Sequence, residues 1–594
     1  MGPVSEQNPP PGMRTRQTSG SGRGEPDRPA AARGASARAR AAEVRAGAVK
    51  AATGSLARAG AQVSHPRQSV VAGGRRLQVA VAVMAALAVG IGYSYMDKPA
   101  AATSDAANAA PTNTPVRSVL VACPIVTGSG DASVAAFTPL NAAANKAAAA
   151  SPSASASAAA GGAPSTGSGN FAQVTGLGAA SPLVSFTQTG AIYTSTGQSG
   201  NISNLSQESA PFVGQAVGAY APGFTATETL SSTSVDTEQG LAATPCTAPA
   251  TNLWFLGTEL GVDQQALLNM VDTDSLSAQV NISGYNSSGP LSSAAMAADQ
   301  GLVINGQSEY GGTIDLTQLN TAAGGGTGAN SAGNPLAVDV TATSGRVAAA
   351  LLDSDGGTGR DFILAQQPAA HLVIPGIPAP SNNPSTPMKV ELMLLAPTAA
   401  TGVTLKWVGH STITPTVTVP QLSAGQVAQV NLSSIPLAGE PAALEIDSTG
   451  GVPIIAEVKV TAEGGSDTAY LSPVPALTGE SIVAANTAGS IVELTNKGTT
   501  GAQVKVTAEG GSSPVSQTVP VPAGTTVAVT LQAPPGAATF AVSVTPLNGA
   551  SSVYAARIMT ASGGGLTIQP MTTSLEDVQV PPVRADLSGT VPQS

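Results

Sequence analysis

Between residues 267 and 560 the chain repeats one order of apolar runs three times. Each copy opens with two runs around a short Thr/Gly/Ser/Ala turn, which the spacing reads as a hairpin. The copies are LLNMV with LSAQVNISGY at 267–285, VELMLLAPTAATGVTLKWVG at 390–409, and IVELTNKGTTGAQVKVTAEGG at 491–511. A run with apolar residues at alternate positions follows, carrying Ile314 and Leu316, Val430 and Leu432, or Val527, Val529 and Leu531. Next comes a strand at 336–340, 444–446 or 540–544, then a Gly-containing turn and a last strand at 346–350, 452–456 or 553–557. A period of two places successive side chains on opposite faces of a strand. Units of about 80–95 residues, with Pro-rich joints at 374–387 and 472–477, predict tandem antiparallel sandwiches of Ig-like size. A single propeller is the alternative, but its blades run about 40–50 residues. The octapeptide VKVTAEGG stands at 458–465 and again at 504–511, at different places in two units, and reads as a shared strand-turn solution.

Upstream the pattern weakens. Residues 116–124 are strand-like, and short alternating segments return around Val174, Leu183–Phe186 and Ile192–Tyr193, then lead to Cys246 and Leu253–Gly257. Residues 141–170 are low-complexity Ala/Ser/Gly and read as a flexible insertion. The first 76 residues hold almost no large apolar side chains, which predicts a disordered tail. The expected order is therefore a tail at 1–76, a membrane segment at 77–96 and a stalk at 97–115. A β module at 116–260, sandwiches at 261–370, 371–475 and 476–575, and a tail at 576–594 complete it.

The membrane segment rests on the one long uncharged apolar run, Leu77–Met96. As a helix its first 19 residues span about 28 Å, against a hydrocarbon core of about 30 Å. Arg75 and Arg76 precede it, and Tyr93 and Tyr95 fall where an interfacial aromatic belt would lie. Ahead of the run stand 13 Lys/Arg and 4 Asp/Glu, a net of +9; behind it stand 12 and 31, a net of −19. The positive-inside bias leaves the tail in the cytoplasm and the acidic body outside. A cleaved signal peptide, cut after Ala100–Ala102, is the competing expectation, although the leader is far longer than an ordinary signal n-region.

Composition removes some function classes. A pI near 4.9 argues against nucleic-acid binding by the body, because phosphate affinity needs a basic face. Aromatic residues make up 3% of the chain, too few for the stacking platforms of a carbohydrate-gripping surface. The two cysteines, Cys123 and Cys246, both follow the membrane run, and in an oxidising exterior an isolated pair predicts one disulfide.

The strand end Cys123–Pro124, the motif PCTAPA at 245–250 with Trp254-Phe255-Leu256-Gly257 behind it, and the later β repeats together resemble an uncharacterised actinobacterial family. The resemblance covers roughly residues 115–575. That family consists of membrane-anchored, extracytoplasmic proteins of unknown function, often encoded beside a large membrane glycosyltransferase. Its members tend to carry a Gly-rich run where this chain has Gly257-Thr258-Glu259-Leu260. The resemblance implies a cell-envelope role and supplies no catalytic residues.

Candidate chemistry is sparse. His371 and His410, the two histidines beyond the membrane run, lack metal-type neighbours. No nucleophile elbow or phosphate-binding loop occurs. The best ion-site candidate is Asp353, Asp355 and Asp361 on a Gly-rich loop suited to Ca²⁺, without a distal bidentate Glu and with Arg360 opposing a cation. Asp272 with Asp274, and Glu259 with Asp263, are weaker acid pairs. Trp254 and Trp407 read as core residues.

These readings predict a mainly β protein: one N-terminal transmembrane helix followed by tandem antiparallel Ig-like β-sandwich domains. The expected function is a non-enzymatic, extracytoplasmic binding or scaffold role in the envelope, with no cofactor, no catalytic residue and no nucleic-acid partner. Expected partners are the bilayer through Leu77–Met96 and a membrane glycosyltransferase or envelope polysaccharide. The alternatives are a carboxylate-dependent hydrolase or transferase, and a passive spacer.

Overall fold

The computed structural model describes residues between 112 and 580, with breaks of which 140–167, 197–210 and 320–333 are the longest. The expected tail and membrane segment lie outside the described residues. Among those described, no helix is long and apolar enough to cross a membrane.

The described chain is mainly antiparallel β. A short strand β1 (Thr112–Pro115) precedes the first sandwich. That sandwich holds β2 (Ser118–Cys123), β3 (Asp131–Phe137), β4 (Ser168–Gln173), β5 (Pro182–Phe186), β6 (Ile192–Thr196), β7 (Phe212–Val217), β8 (Thr225–Ser232) and β9 (Gly240–Pro245). Its sheets run β2-β7-β4-β5 and β6-β3-β8-β9.

The second sandwich begins with β10 (Asn252–Leu260), β11 (Gln264–Asp272), β12 (Ala278–Asn286), β13 (Gly289–Pro290) and β14 (Leu302–Ile304). It continues with β15 (Ser308–Glu309), β16 (Ile314–Asp315), β17 (Asn334–Ser344), β18 (Ala348–Asp355) and β19 (Arg360–Ile363). The third holds β20 (His371–Ile377), β21 (Lys389–Leu395), β22 (Val403–Gly409), β23 (Val427–Asn431), β24 (Ala442–Ser448), β25 (Ile455–Thr461) and β26 (Thr468–Leu471). The fourth holds β27 (Ser481–Asn486), β28 (Ile491–Asn496), β29 (Ala502–Glu509), β30 (Val515–Val521), β31 (Thr525–Thr530), β32 (Phe540–Pro546), β33 (Val553–Ala561) and β34 (Gly565–Met571). A final strand, β35 (Asp577–Val580), follows it.

All four sandwiches share one topology. Counting main strands within each unit, one sheet has the order 1-5-3 and the other the order 4-2-6-7; in the third unit these are β20-β24-β22 and β23-β21-β25-β26. The first and fourth units add an extra strand beside strand 3, and the second adds two short ones, β13 and β14. This pairing differs from the immunoglobulin fold, where strand 2 joins strands 1, 5 and 4 in one sheet. The pairs read as hairpins at 267–285, 390–409 and 491–511 also prove different. Each is strand 2 and strand 3, and these lie in opposite sheets: β11 pairs with β18, whereas β12 pairs with β17. Their short turns cross between the layers of the sandwich. The β10 strand, which sequence grouped with the disulfide module, opens the second sandwich.

Sheets also stack between sandwiches. In each unit the 1-5-3 sheet packs on the 4-2-6-7 sheet of the next. Ala122 meets Val271 and Ala348 between the first and second units. Met393, Leu395 and Ile455 join the second unit's core, and Ala556, Ile558 and Ile568 join the third's. The fourth unit then returns to the first, where Ile482, Ala484 and Ala541 pack on Ala135 and Phe137. Eight sheets thus form a closed radial stack, and β1 pairs with β35 to latch its two ends. The expected stalk and C-terminal tail therefore contribute one strand each, from stretches (TNTP and DVQV) with little apolar pattern. Sheets buried on both faces lose period-two alternation, as in β27, where all six residues are buried.

Candidate functional site

Strand 7 of each unit runs at the centre of this stack. β9 lies beside β19 and β34, and β26 lies beside the same two strands, so the four close a ring. A buried terminal strand leaves N–H groups that need acceptors, because an unpaired buried donor costs about 1–3 kcal/mol. Two aspartates supply them. Asp467 Oδ2 accepts N–H bonds from Leu241 at 2.9 Å and Leu566 at 2.6 Å, while Oδ1 accepts from Arg360 at 3.1 Å and Thr468 at 2.9 Å. One carboxylate thereby ties a strand from each of the four sandwiches. Asp361 repeats the device one step away. Its Oδ1 accepts from Ala243 N–H, Phe362 N–H and the Thr567 hydroxyl, and its Oδ2 from Tyr470 N–H.

Glycine makes this approach possible. A Cβ on Gly359 would stand 2.1 Å from Asp467 Oδ1, and one on Gly240 would stand 2.5 Å from it. Both have positive φ, +111° and +135°, which β-carbon-bearing residues rarely adopt. Burial pushes the Asp467 carboxyl up to about 6, although its four N–H donors favour the anion. Burial raises Asp361 well above the carboxylate range, against the pull of its own donors and with the nearby Asp467 charge adding to the rise. Around this hub, Tyr470 donates its hydroxyl to Asp353 at 2.6 Å. Ser472 and Gln366 both donate to Glu457.

Beyond the hub the four terminal strands lead into the joints between units, and the joints enclose a cavity of about 650 Å³. Its wall is drawn from all of them: Thr244–Ala248, Ile363–Ala369, Ser472–Pro475 and Gln569–Leu575. Thr244, Ile363, Gln366 and Met571 are buried on the inner wall, while Ala248, Gln367, Pro475 and Thr572 are exposed at the mouth. Among the residues lining it, none is Asp, Glu, Lys or Arg, and Phe224 is the one aromatic ring apart from the imidazole of His371. The volume falls in the range of small-molecule sites. Cys246 reaches this wall, and its disulfide to Cys123 (Cα–Cα 4.5 Å) fastens the end of β2 to the first joint. Paired N–H···O bonds between Ala122 and Thr247 reinforce that attachment.

His371 lies at the cavity's edge, exposed. Its Nδ1 is 2.6 Å from Asp447, and its Nε2 faces the Lys497 ammonium, which also donates to Glu445 at 2.7 Å. His371, Glu445 and Asp447 have spacing that could hold a metal ion. The Lys497 ammonium, with Lys406 at 3.4 Å from Glu445, already places cationic charge there. The grouping instead fastens the third sandwich to the fourth.

The residues singled out in the sequence are dispersed. Asp353 and Asp361 face each other across β18 and β19, both buried, with Asp361 bonded into the hub. Asp361 is turned onto N–H donors and Asp353 Oδ2 onto the Tyr470 hydroxyl, so neither presents those oxygens to a calcium ion. The side chain of Asp355 lies outside the described residues, as do Glu259, Asp263 and His410. Asp272 caps the turn after β11 through the N–H groups of Asp274 and Ala278, and Asp274 pairs with Arg346. Trp254 is buried in the second core, 5.5 Å from the Tyr285 ring, and Trp407 is buried in the third. Asp467 went unnoticed in the sequence: the stretch GGSDTAY carries no motif, and its role exists only once four distant strands meet.

A family model described as "Family of unknown function (DUF5719)" matches residues 201–532, more than half of the chain. No curated protein and no solved structure matches it.

Proposed function

The chain belongs to the DUF5719 family, and from that premise we propose that it is a non-catalytic binding or scaffold protein of the cell envelope, anchored by Leu77–Met96 and using the axial cavity as its binding site. The observation that carries this reading is the cavity itself. The three joints between sandwiches and the stretch leaving the fourth converge on it, so an occupant that fills it touches all four sandwiches. Its wall is mostly apolar and lacks acids, which suits binding and offers no carboxylate pair for hydrolysis. The two acids on the axis, Asp361 and Asp467, are buried beneath N–H donors and engaged in holding strands.

An extracytoplasmic site accords with the Cys123–Cys246 disulfide, since such bonds persist in oxidising compartments. The charge step across residues 77–96 orients the body outward. A partner in polysaccharide assembly or export, such as a membrane glycosyltransferase, follows from the family resemblance.

The test is co-purification of the full chain from its own membranes in mild detergent, beside the Thr572→Trp variant that fills the cavity mouth. An envelope partner recovered with the native chain and reduced at least about tenfold with the variant is the expected result. Equal recovery by both, or no envelope partner with either, overturns the reading. Protease added to intact cells should cleave the body and spare the basic leader; the reverse pattern overturns the orientation.

A further inference from the structure

On the inner wall of the axial cavity the amides and one serine have their polar ends committed elsewhere. Gln366 donates to Glu457 and accepts from Ala456 N–H. Ser472 donates to Glu457, and Gln569 accepts from the buried Arg557 guanidinium at 2.6 Å. Nearer the mouth Gln367 donates to the Asn252 carbonyl, Thr573 accepts from Thr478 N–H, and Ser574 accepts from Ile482 N–H. A sugar or nucleotide entering here would find few partners on the inner wall beyond scattered threonine and serine hydroxyls, at about 1–3 kcal/mol for each buried group left unpaired. No lining residue bears a fixed charge to neutralise a phosphate inside, and one aromatic ring gives no stacking platform. The remaining surface is aliphatic, from residues such as Val121, Ile363, Leu372, Val474 and Met571. Burial of apolar area is therefore what this site can contribute, at about 25 cal/mol per Å². At the mouth Leu575 is 53% exposed, a large apolar side chain in water beside the opening. The cationic Lys497 lies just outside, through His371.

We propose that the cavity takes the aliphatic chain of a lipid, acyl or isoprenoid, with the chain inside and the polar end left at the mouth. This rests on the cavity being the binding site, and it names the class of occupant.

The experiment uses the full chain in native membranes, exposed separately to palmitic acid and to farnesol, each carrying a photoreactive alkyl diazirine. After irradiation, labelled peptides are mapped by mass spectrometry. Adducts should concentrate on the joint peptides around 244–248, 363–369, 472–475 and 569–575. Unlabelled palmitate or farnesol should compete, and maltose should not. Labelling by one probe alone identifies the source as acyl or isoprenoid. Thr572→Trp and Ala248→Trp, both at the exposed mouth, should each lower joint labelling at least tenfold with unchanged unfolding midpoints. Adducts placed elsewhere, joint labelling insensitive to both variants, or displacement by maltose would overturn the proposal. If labelling fails while an envelope partner is still lost with Thr572→Trp, the lipid assignment falls and the binding role stands.

Discussion

At the residue scale, Asp467 decides more than any other side chain described. Replacing it by alanine strands four N–H groups from four sandwiches in a dry hub, an expected loss of about 3–5 kcal/mol by analogy with breaking a buried charged network. Gly359→Ala should be comparably damaging, because the added carbon collides with the same carboxylate and the backbone. Gly464→Ala, with φ +79° and open space around it, should cost only about 1–2 kcal/mol of backbone strain. Urea midpoints of the three variants check the ranking. Glu228 supplies a second test. Neither of its carboxyl oxygens has a hydrogen-bond partner among the described residues, and burial raises it from 4.5 to about 8. The folded protein then keeps a proton that the unfolded chain releases, so stability falls as pH rises from about 4.5 to 8, by about 1.4 kcal/mol per unit. Glu228→Gln should remove that slope and be more stable than the native chain at pH 8.5 in thermal melts. If the variant is no more stable there, Glu228 is not buried as an acid.

At the scale of elements, the alternating runs of strand 4 and the long apolar runs of strand 5, the latter largely buried, were legible, whereas the short, enclosed strand 7 was not. The alternating runs at 314–316, 430–432 and 527–531 lie on strand 4 or at its end, and those at 336–340, 444–446 and 540–544 lie on strand 5. Strand 7 escaped because it is enclosed on all sides: GLAATP in β9 and TAYL in β26 show no period at all. The first sandwich was legible as a β module at 116–260 but not as a copy of the later repeats, because Ala, Thr and Ser build it. Those small residues have a purpose between units, where Ala135, Ala484 and Ala541 let sheets pack closely. The latch strands were illegible for another reason, since a two-stranded ribbon needs no apolar pattern. That latch carries its own pH response. Glu576, just before β35, shares a hydrogen bond with Glu480, and burial first, then the Glu480 charge, raise it to about 7. Its contribution is full below about pH 4.5 and falls as the pH rises from there to about 7, where the proton leaves and two anions face each other beside Asp577. Hydrogen exchange of Gln579 and Val580, corrected for intrinsic rates, should quicken between about pH 5 and 7.5. Glu480→Gln should lessen the change, because burial of Glu576 remains; exchange that stays constant in the native chain removes the latch mechanism.

For the whole molecule, the closed stack implies that no sandwich is independent. Each unit lends one sheet face to its neighbour's core, and the hub carboxylates bind all four strands together. Tandem domains joined only by linkers unfold separately, whereas units sharing cores lose stability together. Calorimetry of the native protein should therefore give one dominant transition for residues 112–580, not four. The disulfide and the hub act on that transition differently. Reducing Cys123–Cys246 reopens a loop of 123 residues and should lower the whole transition by about 4–5 kcal/mol on the chain-entropy model. Asp467→Ala cuts the node where the units meet, so it should broaden or split the transition as well as lower it. If the native protein melts in separate steps, the sandwiches are not coupled; if Asp467→Ala lowers one sharp transition without splitting it, coupling runs through the sheet faces and the hub only seals the axis. In either case an occupant of the axial cavity that touches all four sandwiches would raise every step, because binding to the folded state alone stabilises each unit it bridges.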